Sequence, residues 1–364
     1  MTDSMTFLSD PPTGGLLRDA LVAGLRARTA CPDDHLEAAG WVDDVGRFTR
    51  RAGGLFASDI GGTKVQSVLT NLNGEVLGEL RAETPPGGGA GLLDRVARHR
   101  DQLVAETGMT VRAAGIGLPG AIHPRTGHLD RAPNLAGLGG YDMRILFAEH
   151  LGLPVTVEND VNLAALGESW LGHGAGLKDT SAGLVFLSLG TGIGMGLAWG
   201  DRLSRGASGA AGEIAALPIG ANPRDPRTHR CGALESVVSG AALLADYQAR
   251  GGCYTGKSLR DISRNHRDDP VYKQVIEGLG QNAAHAILAV EAILNPTMVV
   301  LGGGIGSQPV LLEHIVNNLA AIMPMGMPVP DCRSSLLGNR AGVLGGVRAA
   351  RLCYAESLRY QYRP

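Results

Sequence analysis

The sequence predicts an α/β protein built from two similar halves, and three observations carry that expectation. From Leu55 onward, short apolar runs of strand length alternate with longer stretches of helical spacing, the arrangement that lays helices over a sheet. Two of the strands run into glycine turns, Gly61-Gly-Thr-Lys64 and Gly190-Thr-Gly-Ile-Gly194, and continue as a second strand. A third run, Leu301-Gly-Gly-Gly-Ile-Gly306, follows another apolar strand. One glycine turn is a weak signal; three in this setting are a stronger one.

In order, strands are expected over 55–58, 65–71 and 75–82, with an Asn73-Gly74 turn joining the last two in an antiparallel meander. A helix over 92–107 precedes a strand over 112–117, which ends in Leu118-Pro-Gly120. A helix over 141–151, a strand over 155–157 and a helix over 161–171 follow. A second set begins with a strand over 182–189, the glycine turn, and a strand over 195–199. The segment 279–294 has aliphatic spacing that suits a helix, either in the core or at an interface. Another strand spans 297–301. Residues 1–54 read as an extension of unassigned role, with Pro-Pro-Thr-Gly-Gly at 11–15 and a helix over 16–28. They lack the basic recognition helix after a short turn that a DNA-binding module would need.

Composition narrows the function. With 364 residues and 44% hydrophobic content the chain can build two cores, and at 4% aromatic those cores must be aliphatic. A net charge of −2 without a Lys/Arg run argues against a general nucleic-acid surface. Five widely spaced cysteines without a CxxC pair fit free thiols in a reducing compartment, and the cytoplasm is expected. No run of 18 apolar residues suggests a membrane span.

The first glycine turn suits a phosphate. Gly61 and Gly62 are expected to permit positive backbone torsions and close approach, while Thr63 and Lys64 offer donors to phosphoryl oxygens. Asp59, at the end of the strand, can hold Mg2+ through water. Gly190, Thr191 and Gly192 form the corresponding second turn, and Gly302, Gly303 and Gly304 bring backbone close to a base or ribose.

The motif set resembles the ROK family of sugar kinases and repressors, within the actin-like ATPase superfamily. It runs from about Leu55 to Leu352 through Asp59-Ile-Gly-Gly-Thr-Lys64, Gly115-Ile-Gly-Leu-Pro-Gly120, Pro133-Asn-Leu135, Glu158-Asn-Asp160 with Asn162, Gly190-Thr-Gly-Ile-Gly194, Gly209-Ala-Ala-Gly-Glu-Ile214, Leu301-Gly-Gly-Gly304 and Leu337-Gly-Asn-Arg-Ala-Gly-Val-Leu-Gly345. The resemblance implies a two-lobed, ribonuclease H-like fold with nucleotide and sugar in the cleft between lobes. It divides the chain into the extension 1–54, a small lobe over 55–165 and a large lobe over 166–364, with the C-terminal helix returning to the small lobe. It also implies ATP and Mg2+ as cofactors, Asp160 as catalytic base, and a homodimer. Gly120, Asn134, Asn159, Glu213 and Glu235 would bind the sugar.

The chain departs from the family in one respect. Many members hold zinc through a His and three Cys, and here Ala216, Pro226, Thr228 and Ala233 stand at those positions. No zinc site is expected. Because in zinc-bearing relatives the missing His also touches the sugar, the expected acceptor is not plain glucose but an amino sugar, a modified hexose or a sugar-like cyclitol. Two alternatives stay open: a ligand-sensing regulator without kinase activity, and a kinase using polyphosphate.

Overall fold

The computed structural model describes residues 40–44, 47–177, 182–254 and 258–361, so the helix expected over 16–28 lies outside the described residues. The chain forms two compact units. Of the described residues, one comprises those within 1–118, 127–158 and 346–364, the other those within 119–126 and 159–345.

In the first unit β1 (Gly54–Ile60) pairs antiparallel with β2 (Lys64–Asn71), and β2 with β3 (Val76–Glu83). The second turn of this meander is closed by Asn71, whose Oδ1 accepts from the N–H groups of Asn73 and Glu75 at 3.0 Å. Helix α1 (Ala90–Thr107) lays Leu92, Val96, His99 and Leu103 onto β2 and β3, a stripe at three- and four-residue spacing. β4 (Val111–Leu118) runs parallel to β1. After the short strands β5 (Ala121–Ile122) and β6 (Leu129–Asp130) comes α2 (Met143–Leu151), capped by Asp142. With β7 (Val155–Asn159), the sheet order is β3-β2-β1-β4-β7.

The second unit repeats this plan. Helix α3 (Asp160–Leu171) precedes β8 (Leu184–Leu189), β9 (Ile193–Trp199) and the two-residue β10 (Arg202–Leu203). The antiparallel β8–β9 ladder extends to Leu189 opposite Ile193, so β9 begins two residues before the expected start. Helices α4 (Glu235–Val238), α5 (Gly240–Ala249), α6 (Leu259–Asn265) and α7 (Pro270–Leu294) lead to β11 (Met298–Gly302). The chain continues through α8 (Gly303–Gly306), α9 (Pro309–Ile322), β12 (Cys332–Ser334) and α10 (Ala341–Gln361). The order β10-β9-β8-β11-β12, with β8, β11 and β12 parallel, matches the first sheet strand for strand. Leu279, Ala283, Ala284, Ile287 and Val290 of α7 are buried, which puts this face of the segment 279–294 in the core, while Ile293 is exposed. Among the described residues no helix is long and apolar enough to cross a membrane.

Two packing features matter later. Helices α3 and α10 touch backbone to backbone: a Cβ on Gly345 would lie 1.7 Å from the Leu163 carbonyl oxygen, and one on Gly167 2.4 Å from that of Ala341. In the first unit, a Cβ on Gly115 would lie 2.0 Å from the Gly346 oxygen.

Beneath the first sheet runs a buried polar chain in which Ser58 Oγ meets Ser67 Oγ at 3.0 Å and Ser67 Oγ meets His99 Nδ1 at 2.9 Å. Burial holds the His99 pKa below its ordinary 6.5, and Arg95 and Arg98 push the same way. The unfolded chain therefore binds the His99 proton more readily than the native one. Stability should be flat above the unfolded value and fall as pH drops below about 6.5. The expected result is that the melting temperature drops further between about pH 7.5 and 5.5 in the wild type than in His99→Gln; equal drops would refute it.

Candidate active site

The phosphate-type turn of the first unit is a tight β1–β2 hairpin in which the Gly61 N–H donates to the Lys64 carbonyl at 2.8 Å. The residue after β3 holds it from the side. Thr84 Oγ1 donates to the Gly61 oxygen at 2.7 Å, and its N–H donates to the Thr63 oxygen at 3.1 Å. Gly62, Thr63 and Lys64 are exposed.

Gly61 and Gly62 do not use the positive torsions that glycine permits. The backbone there is ordinary, and a Cβ on Gly61 would meet only the Lys64 oxygen at 3.4 Å. What glycine contributes is a bare backbone that a bulky anion can approach.

Asp59 pairs across the ladder with Gln66 on one side and Gly117 on the other. Burial pushes its carboxyl up to about 6, with Lys64 pulling the other way. Asp59 is only partly buried near the end of β1, so its carboxylate can meet a hydrated ion, and Mg2+ fits this hard oxygen donor. Asn134 lies in the 3-10 segment Pro133–Leu138 of the same unit, which kinks at Leu135.

In the second unit, α3 opens at Asp160, but the cap is Asn159, whose Oδ1 accepts from the N–H groups of Val161 and Asn162 at 2.9 and 3.0 Å. Asn159 Nδ2 donates to the Gly120 carbonyl at 3.0 Å, where Gly120 sits at φ 103°. Gly120, Asn159 and Asp160 thus form one constellation. Asp160 is partly exposed on the first turn, and its Oδ1 lies 2.9 Å from the Val161 nitrogen.

The second and third glycine turns adjoin at the carboxyl ends of β8 and β11. The Gly240 N–H, at the start of α5, donates to the Gly190 oxygen at 2.9 Å, and a Cβ on Gly190 would lie 3.5 Å from the Gly304 nitrogen. Gly303, at φ 82°, has no room for a side chain: a Cβ would lie 2.4 Å from the Leu189 oxygen. Thr191 is exposed at the tip of its turn. Beside Gly192, Glu235 Oε2 accepts from the Ile193 N–H at 3.0 Å. Burial raises the Glu235 pKa, and the negative charge of Glu213 raises it further, which puts the two acids within electrostatic reach of each other.

Where the family's zinc ligands would stand, this chain closes its loop with hydrogen bonds. Asp225 caps the 3-10 turn Pro226–Thr228, the Gly232 N–H donates to the Thr228 oxygen at 2.7 Å, and the Leu234 N–H to the Leu217 oxygen at 3.1 Å. Ala216 is exposed and Ala233 buried, and neither can bind a metal. These residues do not fit zinc, and among the described residues no three His, Cys, Asp or Glu side chains gather as a metal-holding group.

Two further residues bear on the turns without a signal in the sequence. One is Thr84, described above. The other is Gln308 at the start of α9, whose Oε1 accepts from Ser263 Oγ and Tyr272 Oη at 3.1 Å and so steadies the segment after the third turn.

A duplicated five-stranded sheet with glycine turns at matching strand ends defines an actin-like ATPase fold. Residues 55–352 match the ROK family, and the chain belongs to it. A glucokinase of Halalkalibacterium halodurans is 30% identical over 313 residues, which cover 79% of this chain and 92% of that one. A xylose repressor of Caldicellulosiruptor bescii is 29% identical over 274 residues, covering 70% and 67%. The crystal structure of a ROK family glucokinase from Streptomyces griseus in complex with glucose and AMPPNP aligns with a TM-score of 0.66 at 26% identity, over 82% of this chain and 100% of that one. These likenesses set the chain among the family's carbohydrate kinases.

Proposed function

We propose that the chain transfers the γ-phosphoryl group of ATP to a hydroxyl of a sugar or sugar-like acceptor, with Asp160 as general base. The observation that carries this reading is the division of labour at the start of α3. Asn159 takes the cap, and Asp160, at the first helical position, accepts from the Val161 N–H through Oδ1 at 2.9 Å and keeps a part-exposed carboxylate that can take a proton from an attacking hydroxyl. The exposed donors of Thr63 and Lys64 and the bare backbone of the glycine turns suit the phosphates. Asp59 would hold Mg2+ through its water shell; when bound, that ion offsets the phosphates' negative charge. Glu213 and Glu235 supply paired acceptors for acceptor hydroxyls, with Asn134 and the Gly120–Asn159 pair as further contacts.

The exposed Ala216 removes a polar contact from the acceptor side, which favours an amino sugar, modified hexose or cyclitol. The test is turnover of purified protein with ATP or polyphosphate against a panel of these compounds and glucose, with and without EDTA. Turnover with ATP that requires one acceptor, is abolished by EDTA and returns with Mg2+ is expected. A clear glucose preference would overturn the acceptor reading, and turnover with polyphosphate alone would overturn the donor. The similarity to a xylose repressor supports a second reading, a ligand-sensing regulator. Specific DNA retardation without turnover on any acceptor would establish that one instead.

A further inference from the structure

Gln66 shares a sheet face with Asp59. The two are directly paired residues of β1 and β2, and opposed residues of an antiparallel pair place their side chains on the same face with Cβ atoms about 5 Å apart. Gln66 is fully buried at 0% exposure. Its Nε2 donates to Glu79 Oε1 on β3 at 2.9 Å, and that carboxylate also accepts from Arg81 Nε at 3.0 Å. Because a carboxylate only accepts, this bond fixes the amide: nitrogen toward Glu79, oxygen away from it. Gln66 Oε1 is buried, and among the described residues it has no hydrogen-bond partner. A buried acceptor held so firmly in one orientation asks for a donor.

Lys64 lies two residues earlier on the same strand face, but it is exposed, and a hydrated ammonium gains little by turning inward. Water polarised by a divalent cation is the stronger donor. We propose that Gln66 is a positioning residue for the cation bound at Asp59: its Oε1 accepts a hydrogen bond from a water of the ion's hydration shell. The Arg81–Glu79–Gln66 chain, spanning two strands, then acts as an outer support that aims this oxygen. The inference rests on the kinase reading, since that reading supplies the cation.

The experiment measures Mn2+ binding to the full chain with AMPPNP by electron paramagnetic resonance, in the wild type, Gln66→Met and Glu79→Ala. Gln66→Met keeps the length and removes the oxygen; Glu79→Ala leaves the core intact and releases the amide's orientation. The expected result is an affinity about tenfold weaker in Gln66→Met and a smaller loss in Glu79→Ala, with an unchanged KM for the acceptor. Wild-type Mn2+ affinity in both variants, whether or not the melting temperature falls, would make Gln66 a core residue only and overturn the proposal. If Gln66→Met does not fold, Glu79→Ala alone decides by the same criterion. A wild type that neither binds Mn2+ with AMPPNP nor turns over ATP would instead remove the kinase reading itself, and this proposal with it.

Discussion

Asp160→Asn is expected to lower kcat about 10²- to 10⁴-fold while leaving the fold and the KM for either substrate nearly unchanged. The substitution changes one oxygen to an amide nitrogen, so the side chain's size and shape are kept while its negative charge and its capacity to take a proton are lost. The fold should tolerate it because Asn159, and not Asp160, caps α3. Residual activity would come from the groups that bind and orient the substrates. Single-turnover kinetics on the variant measure this. A kcat within tenfold of wild type would show that some other group takes the proton. A collapse in melting temperature would show that Asp160 is needed for the helix start after all.

Gly345→Ala should cost about 3 kcal/mol of stability, at the upper end for overpacking, because the added carbon meets backbone that has no rotamer to change. Its Cβ would stand 1.7 Å from the Leu163 carbonyl oxygen on α3. Helices α3 and α10 must separate, and α3 carries Asn159 and Asp160 at its first turn. Activity should therefore fall in whatever fraction remains folded. The matched control is Gly278→Ala in α7, where a Cβ meets nothing within 4 Å. There the loss of glycine's backbone freedom should stabilise by about 0.5–1 kcal/mol. Urea denaturation of both variants measures the difference. Equal midpoints for the two would mean that the contact between α3 and α10 is softer than its geometry states.

The parts of the fold that could be read from the sequence are those governed by short-range chemistry. Asn73-Gly74 and the glycine turns punctuate apolar runs, so both meanders and the strands before the turns follow from local pattern. The two-residue β10 did not show, because Arg202-Leu203 has neither length nor alternation, yet it completes the likeness between the sheets. Within the site, residues inside glycine-rich motifs are legible, but the reason for the glycines is not. Gly61 permits a positive torsion and adopts none, while Gly303 does adopt one. Thr84, Gln66 and Gln308 escape sequence reasoning for a common cause: their partners are set by strand register or by packing between distant segments. A threonine two residues past Ala82 looks like any other until Gly61 is seen across from it.

The division of the chain into units bears on how it is made. The first unit draws on described residues up to 118 and over 127–158, but also on the C-terminal helix from 346 on, where Val347, Arg348, Ala350 and Arg351 are buried. Nearly 190 residues separate these portions. A ribosome will have emitted the β1–β4 segment long before the helix that seals it exists. The nascent sheet, with Gly115 lacking the Gly346 backbone that closes over it, must wait until α10 has been translated while carrying uncovered apolar surface. Premature termination before α10 would thus yield a polypeptide in which neither unit is complete, a species suited to chaperone capture and proteolysis.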